Sequence, residues 1–223
     1  VKSTDIRICS ATAETEQIDY RTPIKFGGRV VNDVTLLHVQ VDVETPAGAR
    51  ATGYGSMPMG NVWAWPAKEL SADQTLAAMV AVGRRYVTAA DGDRNWGHPL
   101  EITRILSAEH ESLAEKTAAE LKLSEPMPRL AQLVAASPLE AAIHDAYGRL
   151  HGQNSYNLLG REWVNADLSE YLSDDFRGEY LDQYTLREPK PRMPLYHLVG
   201  ALDPLTAADV ASPVGDGLPE TLA

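Results

Sequence analysis

Leu37-His-Val-Gln-Val-Asp-Val-Glu-Thr-Pro-Ala-Gly-Ala-Arg-Ala-Thr-Gly-Tyr-Gly55 is the stretch that decides the fold. Leu37, Val39, Val41 and Val43 alternate with His38, Gln40, Asp42 and Glu44, the period-two pattern of a strand with one dry and one wet face. A sheet with one wet face is expected to be antiparallel. Thr45-Pro46-Ala47-Gly48 puts Pro at the second position of a type I turn and Gly at the fourth, so the chain returns through Ala49 to Gly55. Upstream, Ile6 and Ile8 alternate with Arg7 and Cys9 and supply a first strand. The expectation is a three-stranded antiparallel meander. Arg21–Gly28 and Ser56–Pro66 read as loops by their Gly and Pro content.

Helices follow. Ser71 and Gln74 have the spacing of a capping box, and Leu76, Met79, Val80, Tyr86 and Val87 line one face behind it. A second helix is expected from Pro99, with Ile102, Ile105, Leu106, Leu113 and Leu121 as its stripe, ended by Pro126 and Pro128. A third starts with Ser137 as cap, Pro138 in the first turn and Glu140 closing the box. Its core residues are Leu139, Ile143, Ala146, Tyr147 and Leu150, and Gly152 stops it. Residues 161–188 are acidic, with eight Asp or Glu against three Arg. Tyr171, Phe176, Tyr180 and Tyr184 run through them at spacings that suit one or two amphipathic turns. Such a charge run reads as a solvated excursion packed by its aromatics, with a metal or partner site as the alternative.

The chain has 223 residues, 44% of them hydrophobic, enough for a sizeable core. Its net charge is −11 and no Lys/Arg cluster falls on one face, which argues against tracking a nucleic-acid backbone. A single cysteine, Cys9, in an apolar strand reads as a buried thiol and fits a reducing, cytoplasmic setting. No apolar run reaches the roughly 20 residues that span a bilayer, so no membrane partner is expected. Met193-Pro-Leu-Tyr-His-Leu-Val199 reads as a further strand, with nothing after it to pair with.

The order of these pieces resembles a family. Pro23-Ile-Lys-Phe-Gly27 in the first loop, Gly53-Tyr-Gly55 closing the sheet, Ser137-Pro-Leu-Glu-Ala-Ala-Ile-His-Asp-Ala-Tyr-Gly-Arg149 with Leu158-Leu-Gly160, and Pro194-Leu-Tyr196 are together similar to the enolase superfamily. The resemblance is to its mandelate racemase and muconate-lactonizing branch. It implies an α+β fold: a three-stranded meander and helical bundle as an N-terminal cap over residues 1–160, an acidic insertion or linker at 161–192, and the first strand of a truncated (β/α) barrel at 193–223. The insertion is longer than the family's usual link. A barrel needs eight strand–helix units and about 250 residues, so the chain reads as the front part of a larger enzyme.

The resemblance further implies a Mg²⁺-dependent enzyme that takes an α-proton from a small carboxylate, as a racemase, epimerase, dehydratase or cycloisomerase. Its base and metal ligands would lie on barrel strands beyond Ala223. No catalytic or metal-binding residue is carried over, and the fragment alone is expected to be inactive and to hold no Mg²⁺. The cap's share is specificity, with Lys25, Phe26, Met57, Trp63 and His197 as substrate-binding candidates and Met59 and Trp65 beside them. Alternatives stay open at each. Lys25 is either a solvated lysine or a carboxylate partner. The tryptophans either pack on the cap's own sheet or touch substrate. His197, near the end of the barrel strand, is either structural or at the reactive edge. A homo-oligomer is an open expectation that these residues do not define.

Two other readings compete. One is a non-catalytic binding or assembly module with the cap fold. The other is a metal phosphohydrolase of the HD type, since His144-Asp145, His110 and Asp175 superficially resemble that metal-binding set. The hairpin of 37–55 argues against the second, which is all-helical.

Overall fold

The computed structural model describes residues 1–26, 28–196 and 199–222. Three strands, β1 (Arg7–Phe26), β2 (Arg29–Glu44) and β3 (Arg50–Pro58), form an antiparallel sheet in the order β1-β2-β3. The expected meander is present. Gly48 N–H donates to Thr45 O at 2.9 Å with Gly48 at φ +83°, closing the turn between β2 and β3.

β1 is far longer than the sequence suggested, because a bulge at Cys9 changes which side chains face inward. Ile8 pairs with Val43 and is buried, then Ser10 pairs with Asp42, and the inward positions become Ala11 and Ala13. Cys9 itself is half-buried, and that burial raises its thiol pKa. Leu37, Val39, Val41 and Val43 of β2 are all buried, as their alternation required.

Among the described residues five α-helices follow: α1 (Asn61–Ala64), α2 (Ala72–Gly92), α3 (Pro99–Ser107), α4 (His110–Glu120) and α5 (Arg129–His151). The Ser71–Gln74 box forms in both directions, at 3.2 and 2.9 Å. The helix expected to run on from Pro99 breaks after Ser107. Ile102 on α3 and Ala114 on α4 reach the core, whereas Ile105 and Leu121 are exposed.

The third expected helix is corrected at its start. α5 begins at Arg129, so Pro138 sits in its interior and the Ser137 hydroxyl donates to Leu133 O at 2.8 Å instead of capping. An interior proline costs a helix about 3 kcal/mol. Burial against both the sheet and α2 offsets it, and residues from Ala131 to Gly148 are buried on most sides of the helix. Gly152 ends α5 in the left-handed conformation at φ +63°, as expected.

α5 lies so close to β3 that only glycine fits there. A Cβ at Gly53 would sit 2.2 Å from Ala142 O, and one at Gly55 would sit 2.0 Å from Pro138 O. Residues 161–188 form short 3₁₀ turns, Leu168–Glu170, Asp174–Phe176 and Leu181–Gln183. At 193–196, read as an opening barrel strand, the chain is irregular, with Leu195 and Tyr196 at 95% and 90% exposure. A strand needs a ladder partner, and none of the described residues provides one.

Candidate functional site

The first expected loop, Arg21–Gly28, is strand from Arg21 to Phe26. Ile24 pairs with Val31, Lys25 with Val30 and Phe26 with Arg29, so Lys25 and Phe26 stand exposed at the tip of a two-stranded ribbon. β3 ends at Pro58 opposite Leu36, and β2 continues seven residues further to Arg29. At about 3.3 Å per residue the tip overhangs the rest of the sheet by about 20 Å. Between Asp19 and Ile24 the register slips. Residues 20–23 bulge against Asn32, with Pro23, which has no N–H to give a ladder, inside the bulge.

The second expected loop divides by side chain. Met57 lies opposite Leu37 and packs against the core, and Met59 and Trp65 are buried within it. Trp63 points outward at 40% exposure. Its indole folds back over Gly60, where an added Cβ would meet Trp63 Nε1 at 2.1 Å. Asn61 fixes this short helix, donating from Nδ2 to Ala72 O at 2.7 Å and to Thr75 Oγ1 at 2.9 Å. The structure therefore does not bring Lys25 and Phe26 to Met57 and Trp63, and His197 lies outside the described residues.

A buried polar cluster that the sequence did not announce joins α3, α5 and residues 158–171. His98 is fully buried, accepts from Leu100 N–H at Nδ1 (3.1 Å) and donates from Nε2 to Leu158 O (2.9 Å). Both ring nitrogens are thus used, leaving no lone pair for a metal. Burial holds its pKa down at about 3, and burial holds that of neighbouring His144 at about 4. Tyr147 meets the rings of His98, His151 and Trp163 edge-on. Glu101 accepts four hydrogen bonds, from Asn165 N and Ala166 N at one oxygen and from His98 N and Asn165 Nδ2 at the other. Asn165 Nδ2 also donates to buried Asp5, and the Lys2 ammonium donates to Arg161 O and Val164 O. These bonds tie the first residues of the chain to the acidic stretch.

The set that resembled HD phosphohydrolases does not assemble. Asp145 is engaged by Tyr54 N–H and by Arg149, His110 is stacked on Tyr86, and Asp175 takes a long 3.4 Å bond from Ser173. Among the described residues, no three His, Cys, Asp or Glu side chains gather to hold a metal ion, so these residues do not fit Mg²⁺. No helix among them is long and apolar enough to cross a membrane.

A shallow concavity of about 820 Å³ lies on the wet face of the sheet, lined by Thr12, Glu14, Glu16, His38, Gln40 and Tyr54 among others. None of the described candidate residues borders it. The residues that sequence reasoning missed, Arg21 and Asn165, act through partners 64 to 198 positions away, as the bonds of Asn165 to Glu101 and of Arg21 to Pro219 illustrate. No local pattern encodes such pairings.

No protein-family model matches the chain, and no curated protein matches it. Solved structures do. An enolase from Bradyrhizobium complexed with magnesium and mandelic acid is 18% identical with a TM-score of 0.40, over 69% of this chain and 34% of its own. A dipeptide epimerase from Enterococcus faecalis complexed with Mg and L-Leu-L-Tyr is 20% identical with a TM-score of 0.36, over 70% and 35%. An L-talarate dehydratase from Polaromonas complexed with Mg and L-glucarate is 16% identical with a TM-score of 0.37, over 66% and 33%. The chain thus spans about a third of the length of the structures to which it is similar.

Proposed function

We propose that this chain is the capping and substrate-specificity part of a Mg²⁺-dependent enolase-superfamily enzyme that removes an α-proton from a small carboxylate. The observation that carries the reading is the contact between β3 and α5. Gly53-Tyr-Gly55 and Ser137–Arg149, two of the segments that resemble the family in sequence, meet backbone to backbone at Ala142, Ala146 and Pro138. Two family-like segments about 90 residues apart thus form one packing unit, which chance likeness of either would not require.

In this reading residues 1–160 are the cap, 161–192 a linker held down by Glu101 and Lys2, and 193–223 the opening of the barrel. The exposed groups offered to a substrate are Lys25, as a cation for its carboxylate, and Phe26 and Trp63, as apolar surfaces that exclude water. Met57 packs against the core behind β3 rather than beside them, and His197 is the substrate contact this reading assigns to the barrel part of the sequence. Proton loss beside a carboxylate leaves a dianionic enediolate, which Mg²⁺ stabilises when bound. The cap's own residues orient the substrate and shield it. They supply neither base nor metal.

The test is solvent exchange in D₂O with Mg²⁺ and a panel of α-substituted carboxylates, followed by proton NMR. The 223-residue chain alone is expected to incorporate no deuterium, and the gene product extended past Ala223 to exchange at least one substrate. Exchange by the chain alone, or none by an extended product that binds Mg²⁺, would overturn the reading.

A further inference from the structure

The β1–β2 ribbon is weak by its own chemistry. A two-stranded ribbon is marginal in water. Here Asp19 lies directly opposite Asp33, and like charges in that position repel. The bulge at residues 20–23 removes ladder bonds just beyond that pair. Ile24, Phe26 and Val30 are about half-exposed, so little burial compensates.

At the bulge, Arg21 leaves the ladder and reaches a turn 195 positions away. Its Nε donates to Asp216 Oδ2 at 2.6 Å and its Nη2 to Asp216 Oδ1 at 2.8 Å, the two-pronged geometry of a strong guanidinium–carboxylate pair. The same guanidinium donates to Pro219 O at 3.1 Å and Leu218 O at 3.2 Å. The turn is also held by bonds of its own. Glu220 Oε1 accepts from Val214 N and Gly215 N, both at 3.0 Å, Asp216 Oδ1 accepts from Leu218 N, and Gly215 and Gly217 take positive φ. The guanidinium holds the Asp216 carboxyl well below the usual carboxylate range, so the pair stays charged at ordinary pH.

We infer that residues 214–220 are a strap, a guanidinium-binding turn that grips Arg21 and restrains the β1–β2 ribbon carrying Lys25 and Phe26. The bulge aims Arg21 out of the sheet, and the strap converts a locally unstable ribbon into a positioned one. On the cap reading above, this sets how freely the ribbon tip moves over a substrate. The restraint itself does not depend on that reading.

Hydrogen–deuterium exchange read by mass spectrometry on the whole 223-residue chain tests it. Asp216→Asn and Arg21→Gln are each expected to speed exchange of amides in 19–31 and 214–222 by about three- to tenfold, while α5 is unchanged. The charge exchange Arg21→Asp with Asp216→Arg is expected to restore most of the protection. Unaltered exchange of 19–31 in Asp216→Asn overturns the inference, whatever residues 214–222 do. So does a charge exchange that restores nothing. Because the readout is amide protection, failure of the strap leaves the enzymatic reading intact, and failure of the D₂O assay leaves the strap intact.

Discussion

Asp145 Oδ2 accepts the backbone N–H of Tyr54 at 2.9 Å, so a helix side chain closes the free edge of β3. Arg149 donates to the same oxygen at 2.6 Å and lays its guanidinium over the Tyr54 ring at 5.4 Å. The opposite edge uses the same device, with Asp91 Oδ1 accepting Ala11 N–H at 2.9 Å. Unpaired edge N–H groups are templates for aggregation, and here α2 and α5 each cover one. Asp145→Ala is expected to cost about 1–2 kcal/mol in urea unfolding and to speed exchange at the Tyr54 amide. Asp145→Asn, which keeps an accepting oxygen, should lose less. Equal stability of wild type and Asp145→Ala would remove the edge-closing role.

Gly53→Ala and Gly55→Ala test the β3–α5 contact. The new methyl would lie 2.2 Å or less from backbone atoms of α5, which cannot swing aside as a side-chain tip can. Overpacking against backbone is expected to cost about 3 kcal/mol or more, at or above the upper end of the usual range. Gly92→Ala, where no atom lies within 4 Å of the added methyl, is the control and should change stability by less than about 1 kcal/mol. Similar urea midpoints for all three variants would mean that α5 stands off the strand.

Glu101 predicts how the acidic stretch is attached. Each of its four hydrogen bonds arrives from an N–H, so Glu101→Gln must turn its own NH₂ toward two of those donors. A loss of about 2–3 kcal/mol is expected, together with faster proteolysis between residues 158 and 188. Undiminished protease resistance in the glutamine variant would show that this stretch is held by its aromatics alone.

What the sequence made legible was whatever neighbours in sequence determine. The alternation at 37–44, the turn at 45–48, the Ser71–Gln74 box and Gly152 all appear as read. β1 was legible only at its start, at Ile8 behind Ile6, which itself bridges to Gly97 outside the strand, because beyond the Cys9 bulge its inward positions are Ala11 and Ala13, too small to mark a buried face. Pro138 reads as a helix start by local chemistry. It sits mid-helix because α5 is buried on two sides, a tertiary effect. Of the candidate site, exposure of Lys25 and Phe26 was legible but their place on a ribbon was not, since Pro23, Gly27 and Gly28 read locally as loop signals and mask the strand formers Ile24, Phe26, Val30 and Val31 that pair across the ribbon. Trp63 and Trp65 look equivalent in sequence, and only the short helix between Asn61 and Ala64 separates one outward from one inward.

His110 supplies a pH-dependent prediction. Its ring is buried, stacked on Tyr86 at 4.3 Å, and its Nδ1 has no hydrogen-bond partner. Burial, with Arg129 adding to it, holds its pKa at about 4, whereas an unfolded histidine titrates near 6.5. Between those values the unfolded chain binds the extra proton, so stability rises with pH across the window. The contribution is complete above pH 6.5 and is lost as the pH falls toward 4, and His98 and His144 act in the same sense. His110→Phe keeps the stack and removes the titration. At pH 5 it is expected to be more stable than wild type by about 1–2 kcal/mol, against a difference within about 1 kcal/mol at pH 7.5. Parallel urea midpoints for the two proteins at both pH values would show that protonation of His110 does not oppose folding.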